Sequence, residues 1–511
     1  MSKNKKILNN TLALYIRLLV TVALNLYATR ILLNNLGVED FGLYGTITGV
    51  IALIAFFQAA LSNATNRFLN VEIGNGDVPY IQKIFSTAFF LHIFIALTFC
   101  ILIEIFGAFI ISFFVKIPAE KMNISIQVFH LSVISLFILV VTIPFESILM
   151  AKEKFGIYAF ISIFDVTLKL ILAYFLVFFT YDKLLYYVLG LFCIVLLIRL
   201  TYVIYSQLNI VEARIKFCID KDFLKKIIKF IGWELYLNFC VVFKVEGIML
   251  LMNNFFGLIV VASIKISYQI NAALYSISSN LSVAVKPQLM RSYADYDVDR
   301  MNILVFYTAK YSYYFMLVFC APIIFNIDYI LKFWLGSSPE YTKVITIFVL
   351  ISSLIEVLFY PIVMLIHATG NLKKFSILTG TLILLSVPLV YFILKLGFNY
   401  YFAYTVYVVN TALASFLNIW IAKKLINEFD LSKFLRNVLV NILITTGAII
   451  LVLKVLADFV VVSSFVGFLT IFVLETLVVI SLIYGLGIEK MHKEWIKYYL
   501  KSKIKCYFSN N

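Results

Sequence analysis

Charge is scarce in this chain of 511 residues: Asp, Glu, Lys and Arg make up 14% of it, while 63% is apolar. A soluble domain of ordinary surface-to-volume ratio cannot hide so much apolar surface, so a soluble fold is excluded. Long polar stretches are also missing. The longest connections, around 208 to 228 and 285 to 302, leave no room for a second domain, so any chemistry must happen within the apolar part. Cysteine is sparse, and Cys100, Cys193, Cys218, Cys240, Cys320 and Cys506 lack the paired spacing of a disulfide framework or a zinc site. His92, His130, His367 and His492 fall on different segments. No Walker motif, Ser-His-Asp order or carboxylate pair on a long loop stands out, so no enzyme activity, metal or resident cofactor is expected.

What is present is a succession of apolar stretches. Crossing about 30 Å of hydrocarbon takes roughly 20 residues of helix. Residues 9 to 33, 41 to 63, 84 to 113, 124 to 150, 156 to 179, 184 to 207, 229 to 252, 257 to 284, 303 to 331, 344 to 367, 374 to 394, 399 to 422, 437 to 457 and 462 to 486 meet that length. Fourteen such spans predict an all-α polytopic membrane protein. The start, Met1-Ser-Lys-Asn-Lys-Lys, looks like a secretory leader, but Arg17 and Arg30 interrupt the apolar segment behind it and no small-residue cleavage site follows. An uncleaved first span is expected.

A net charge of +15 raises the question of nucleic acid, and its placement answers in the negative. Lys3, Lys5, Lys6, Arg67, Lys83, Lys152, Lys154, a cluster at 214 to 229, Lys286, Arg291, Arg300, Lys373, Lys374, Lys423, Lys424, Lys433, Arg436 and the C-terminal lysines fall on one set of alternate connections and on the tails. The other set holds only Lys116, Lys121, Lys183, Lys332, Lys343, Lys395 and Lys454. This bias predicts cytoplasmic N- and C-termini. In the tail, Ile488, Met491, Trp495 and Tyr499 near helical spacing, with Lys490, Lys493, Lys497 and Lys501 around them, predict a helix on the anionic inner surface. Lys221 to Lys229, which contains Phe223, Leu224, Ile227 and Ile228, reads as an interfacial linker, with a substrate-gathering surface as the alternative.

The first twelve spans form two related sets of six. An offset of 217 residues sets Pro144 on Pro361 and Ala151 on Ala368, and an offset near 220 sets Leu61-Ser62 on Leu281-Ser282 and brings Leu33-Asn34-Asn35 near Met252-Asn253-Asn254. An even repeat keeps its direction through the membrane, so the halves should be parallel repeats about an axis along the membrane normal. The expected organisation is an N-terminal bundle over 1–207, a cytoplasmic linker over 208–228, a C-terminal bundle over 229–425, two appended helices over 426–487 and a basic interfacial tail over 488–511.

Charges inside hydrocarbon cost about 2.5 to 3.5 kcal/mol on insertion scales, so they face a cavity or a partner. Lys244, mid-span, is too deep to snorkel and reads as a cavity cation; Arg17 and Lys265 can snorkel or line the cavity. Arg30, Glu104 and Arg199 read as anchors or local partners. Asp165 and Lys169, four apart on one face, can form an ion pair or serve gating or ion coupling. Glu234 is placed at the inner mouth, Glu246 on a different helical face from Lys244, and Glu356 and Glu475 within their spans. Lys265, Gln269, Ser276 and Asn280 share a stripe, and so do Gln58, Ser62 and Asn66 on the repeat-equivalent span. Such stripes serve interhelical hydrogen bonds or a groove for sugar hydroxyls.

The corner Leu36-Gly37-Val38-Glu39-Asp40-Phe41-Gly42-Leu43-Tyr44-Gly45 follows Arg30-Ile-Leu-Leu; glycines at 37 and 42 allow a tight turn and close helix approach. This string, with the fourteen spans and the six-plus-six repeat, resembles the Wzx-type oligosaccharide flippases of the multidrug, oligosaccharidyl-lipid and polysaccharide (MOP) exporter superfamily. The resemblance implies V-shaped bundles from spans 1 to 6 and 7 to 12 in a bacterial inner membrane. It implies that undecaprenyl-diphosphate-linked oligosaccharide is turned to the outer leaflet for O-antigen or capsule synthesis, beside other polysaccharide assembly proteins. By the same resemblance Arg17 and Lys265, then Arg30, would hold the diphosphate, with Lys244 added from the residues themselves; Gln58, Gln269 and Asn280 would face sugars. Proton or sodium coupling is an expectation, with Asp165, Glu234 and Glu356 as candidate carboxylates. Span 2 lacks a mid-membrane arginine that some lipid-precursor flippases have, which argues against the peptidoglycan-precursor branch. The rival functions are a cation-coupled multidrug antiporter of the same superfamily and a membrane glycan polymerase or ligase.

Overall fold

A computed structural model of the chain describes residues 3–113, 115–459, 464–489 and 492–494, and all regular secondary structure among them is helical. In order the α-helices are α1 (Lys3–Ile54), α2 (Phe57–Asn75), α3 (Val78–Leu102), α4 (Ala108–Phe113), α5 (Met122–Ala151), α6 (Phe155–Phe175), α7 (Lys183–Asn209), α8 (Lys221–Phe256) and α9 (Leu258–Ala294). They continue with α10 (Val298–Phe325), α11 (Ile327–Leu335), α12 (Thr342–Ala368), α13 (Lys373–Leu384), α14 (Ser386–Lys395), α15 (Tyr400–Leu425), α16 (Leu431–Phe434), α17 (Val440–Phe459) and α18 (Phe465–Leu482). Wide π-helical turns interrupt three of the crossings, at Ile103–Gly107, Leu435–Leu439 and Ile483–Gly487.

Among the described residues, 13 helical stretches are long and apolar enough to cross a membrane. The first, Ile16–Ile54, is 39 residues long. Such a helix would rise about 58 Å, nearly twice the hydrocarbon thickness. Gly37 divides it: its φ of 79° and ψ of 169° are not helical, and dividing there brings the count to the expected fourteen. The second crossing then runs through a break at Ala55 and Phe56 into α2. Neither Pro nor Gly marks that break. It sits in an aromatic cluster in which Phe56 meets Phe239 at 5.2 Å between ring centroids and Phe57 stacks on Phe99 at 4.0 Å.

The repeat is visible in local geometry. Gly257, 220 residues after Gly37, joins α8 to α9 with φ 80° and ψ −163°, so both corners use a region that glycine alone enters without strain. At the same offset Asp77 and Asp297 cap α3 and α10, each accepting from the N–H three residues on. At the offset of 217, Pro144 and Pro361 lie inside α5 and α12, which end at Ala151 and Ala368. Gly42 fulfils the other expectation for the corner, because a Cβ there would run into the Leu258 carbonyl. The two corners therefore lie against each other.

The chain forms two compact units. One comprises Met1–Gln269, Ser338–Ile345 and Ser376–Tyr407; the other comprises Ile270–Ser337, Thr346–Phe375 and Val408–Asn511. In the first unit the connection before α8 is stitched to α3. Gln82 Nε2 donates to the Arg214 carbonyl, the Lys216 N–H donates to Ser86 Oγ, and the Asp220 N–H donates to Thr87 Oγ1. Asp220 then caps α8 and pairs with Lys83 at 2.9 Å. The basic stretch from Lys221 is the beginning of this 36-residue helix, with Phe223 and Ile227 buried and Lys225 and Lys226 exposed. In the second unit α17 and α18 pack on α10. Tyr314 Oη contacts Asn441 Oδ1 at 2.7 Å and Thr445 Oγ1 at 3.1 Å, and Asn326 at the end of α10 donates to Glu475 of α18, which is 2% exposed. Most of the tail expected to lie on the inner surface, including Met491, Trp495 and Tyr499, falls outside the described residues.

Two outcomes follow from these elements. Gly37→Val should cost about 1–3 kcal/mol, from the strained backbone alone, since no neighbour stands within 4 Å of a Cβ there. Gly447→Ala, in the open and in regular helix, should be neutral or stabilising in the same thermal unfolding assay of detergent-solubilised protein. Asp220 gives an acid limb. The N–H of Phe223 and the Lys83 ammonium hold its carboxyl below the usual aspartate value. Its contribution to stability is complete above the unfolded pKa and is lost as the pH falls through the lower folded value. Wild-type protein should therefore soften below about pH 4, and Asp220→Asn should flatten that limb.

Candidate functional site

In the first unit an ionic and aromatic cluster occupies the end of the bundle where α1 and α6 begin and α5 and α7 end. Arg17 on α1 reaches Tyr158 on α6, donating from Nη1 to the phenol oxygen at 3.3 Å with its guanidinium 4.9 Å from the ring centroid. The Arg17 Nε is buried without a hydrogen-bond partner. Tyr158 faces Tyr202 of α7 at 6.5 Å, and Arg199, one turn before Tyr202, lies 5.6 Å from that ring. Arg199 donates to Glu146 of α5 at 2.7 Å. Glu146, Arg17 and Arg199 all act electrostatically on the Tyr158 phenol, so the two cations and the carboxylate form one cluster with an excess positive charge.

A second group lies nearer the Gly37 and Gly257 corners. Lys265 on α9 pairs with Glu246 on α8 at 3.4 Å, and both side chains lie against the corner helix, since a Cβ on Gly45 would meet Lys265 and one on Gly49 would meet Glu246. Lys244 points elsewhere, its amine 3.8 Å from the centre of the Tyr407 ring on α15 and only 5% exposed. The two-residue spacing of Lys244 and Glu246 thus separates their faces, as the helical period requires. Gln269 ties α9 to α1, accepting from Thr29 at 2.6 Å and donating to the Asn25 carbonyl at 2.9 Å.

The cations expected to act together stand at different depths. Measured along the helices from their glycine corners, Arg30 lies about 10 Å in, Lys265 about 12 Å, Lys244 about 20 Å and Arg17 about 30 Å. They form a ladder rather than a ring. Arg30 is half-buried on α1, and Gln58 is half-buried in the first turn of α2. Asp165 and Lys169 form the ion pair that their spacing suggested, at 2.7 Å within α6. Glu104 pairs with His130 at 2.8 Å beside the first π turn. In the second unit Glu356 is half-buried on α12 within electrostatic reach of Tyr275. The side chains of Glu234 and Asn280 lie outside the described residues. Sequence reasoning missed Glu146, Tyr158, Tyr202 and Tyr407, whose partners come from distant helices.

The second unit contains a cavity of about 510 Å³ where α10 begins and α18 has ended. Lys310, 2% exposed, pairs there with Glu489 at 3.3 Å, and Tyr307 donates to the same carboxylate. Asp299, Glu428 and Asp430 also line it, so acids outnumber bases. Among the described residues no three His, Cys, Asp or Glu side chains come together as a metal site.

The Lys265–Glu246 pair offers a direct check. Glu246→Met should destabilise by about 1–2 kcal/mol, short of a fully buried pair because Lys265 is partly exposed. Adding Lys265→Met should recover stability, and a double variant no better than the single in thermal unfolding would show that the two charges are uncoupled.

Comparison with known proteins places this geometry. Residues 16–175, from just before Arg17 to the end of α6, match the MatE family model. No curated protein matches the chain. Among solved structures, the lipid II flippase MurJ in an inward closed conformation aligns with a TM-score of 0.66 and 16% identity over 94% of this chain and 99% of that one. An inward-facing multidrug resistance MATE transporter of the MOP superfamily aligns at 0.62 and 14% over 81% and 97%. A MOP superfamily transporter from Pyrococcus furiosus, described as having a binding pocket of reverse polarity, aligns at 0.59 and 15% over 81% and 95%. With an N-terminal segment that matches MatE and alignments that run nearly the full length of those structures, the chain has the fold of the transporters and flippases of the MOP superfamily.

Proposed function

We propose that this protein is a flippase for undecaprenyl-diphosphate-linked oligosaccharide, turning it from the inner to the outer leaflet for surface polysaccharide synthesis, with both termini cytoplasmic. The observation that carries this reading is the ladder of Arg17, Lys244, Lys265 and Arg30 through the depth of the first unit. A diphosphate joined to sugars cannot enter hydrocarbon unaided, because desolvation of its charges is prohibitive. Cations spaced along the path replace water in stages. Arg17, beside Tyr158, receives the head at the inner end; Lys265 succeeds it at greater depth, with Lys244 at an intermediate level on the other face of α8. Lys244 lies over the Tyr407 ring and Lys265 is held by Glu246 at 3.4 Å, so the head takes each of them over from a partner already in place. The prenyl tail stays in lipid while the two halves alternate the side on which the head is exposed. Gln58 and Gln269 are the candidate sugar contacts. The longer alignment with the lipid II flippase, 94% of this chain against 81% for the inward-facing MATE transporter, also favours a flippase.

The second reading, a cation-coupled drug antiporter, draws on the MatE match over residues 16–175. Its cargo is cationic, which the ladder would repel.

Purified protein in vesicles with fluorescently labelled undecaprenyl-diphosphate oligosaccharide tests the proposal. The lipid should become accessible to a membrane-impermeant reagent faster than in empty vesicles, and Arg17→Gln or Lys265→Gln should slow that exchange about tenfold or more. No acceleration across several glycan heads and ion gradients would refute the reading, and drug efflux unaffected by those substitutions would support the antiporter.

A further inference from the structure

We propose that Glu146 is a placeholder for substrate phosphate: it occupies Arg199 when no substrate is bound and yields it to a diphosphate, but not to a monophosphate. The inference rests on the flippase reading and assigns a selectivity device to its entry site. Arg199 presents a planar fork of donors suited to carboxylate and phosphate alike. Glu146 holds one of them at 2.7 Å. The pair is partly open, Arg199 being 17% exposed and Glu146 30%, so exchange can take place without burying an unpaired ion.

The surroundings are built for a second anion rather than for the carboxylate alone. Arg17 keeps a buried Nε with no partner, and its remaining contacts here are a neutral phenol and a ring. Tyr158 lies under the influence of Arg17, Arg199 and Glu146 together, so an anion arriving beside it is drawn by both guanidiniums. While Glu146 stays, one positive charge is left over. An incoming group must outcompete a carboxylate already in place to gain the second cation. A diphosphate, with two phosphate groups to engage both arginines and more acceptor oxygens, can do so, whereas a monophosphate or a carboxylate gains little. Glu146 also screens the two arginines from each other in the empty site.

The test measures binding of farnesyl diphosphate and farnesyl monophosphate to the full-length protein in detergent. Wild type should prefer the diphosphate. Glu146→Gln should bind both probes more tightly, the monophosphate gaining by about tenfold, so that the preference shrinks. Arg199→Gln should bind the diphosphate more weakly, and adding Glu146→Gln to it should raise affinity by less than Glu146→Gln does alone. Glu146→Ser repeats the neutral substitution should the glutamine variant fail to fold. Weaker or unchanged binding in both neutral variants, with the wild-type preference intact, overturns the placeholder role. If Arg17→Gln abolishes diphosphate binding in that case, the flippase reading stands without it. If wild type binds neither probe, both fall.

Discussion

A charge carried into hydrocarbon must bring its partner with it, and most of the placements in the first unit follow from that requirement. Arg199 has Glu146, Lys265 has Glu246, Lys169 has Asp165, and Lys244 has the face of Tyr407. These partners differ in strength. An intrahelical pair such as Asp165–Lys169 is local and can persist through any movement of whole helices. Interhelical pairs can break when helices slide, and an ammonium over a ring can transfer to an anion at small cost. The proposed flippase would need both kinds: fixed pairs that let the protein insert and fold, and loose ones that a charged cargo can take over.

The same distinction explains how much could be read in advance. Properties set within one helix or by chain length were legible. The fourteen crossings, the repeat-related prolines, the Asp165–Lys169 pair and the opposed faces of Lys244 and Glu246 all depend on rise and period, which the sequence carries directly. The corner glycines were legible because φ and close approach leave no alternative residue. Interhelical chemistry was not. Glu146 stands 53 residues from Arg199, and Tyr158 is 141 from Arg17, with no periodicity to connect either pair. Pro144 and Ala151 carry the repeat, whereas nothing in the sequence ties Glu146, which lies between them, to Arg199. The Asp77 and Asp297 caps strengthen the repeat and could have been found, since both precede Val at the offset already in use.

The break in the second crossing was hidden for another reason. A helix bends at Pro, at Gly or where side chains force it, and only the first two have a signature in sequence. At Ala55 and Phe56 the cluster of Phe56, Phe57, Phe99 and Phe239 comes from three helices, so the cause of the bend lies in packing. Gln58 follows at once, and its position in the candidate path therefore depends on aromatic rings remote in sequence.

The paired corners at Gly37 and Gly257 reach further than the turns they make. Each is shaped by a missing atom, the Cβ, and no side-chain contact at either glycine participates. Flanking side chains at such a corner are free to serve other ends. On one, Glu39 and Asp40 meet Lys121, and on the other, Leu258 offers its backbone to Gly42. The two halves can in this way differ almost completely in chemistry and keep one architecture, so charge can gather in one and be sparse in the other without redrawing the corners that shape both.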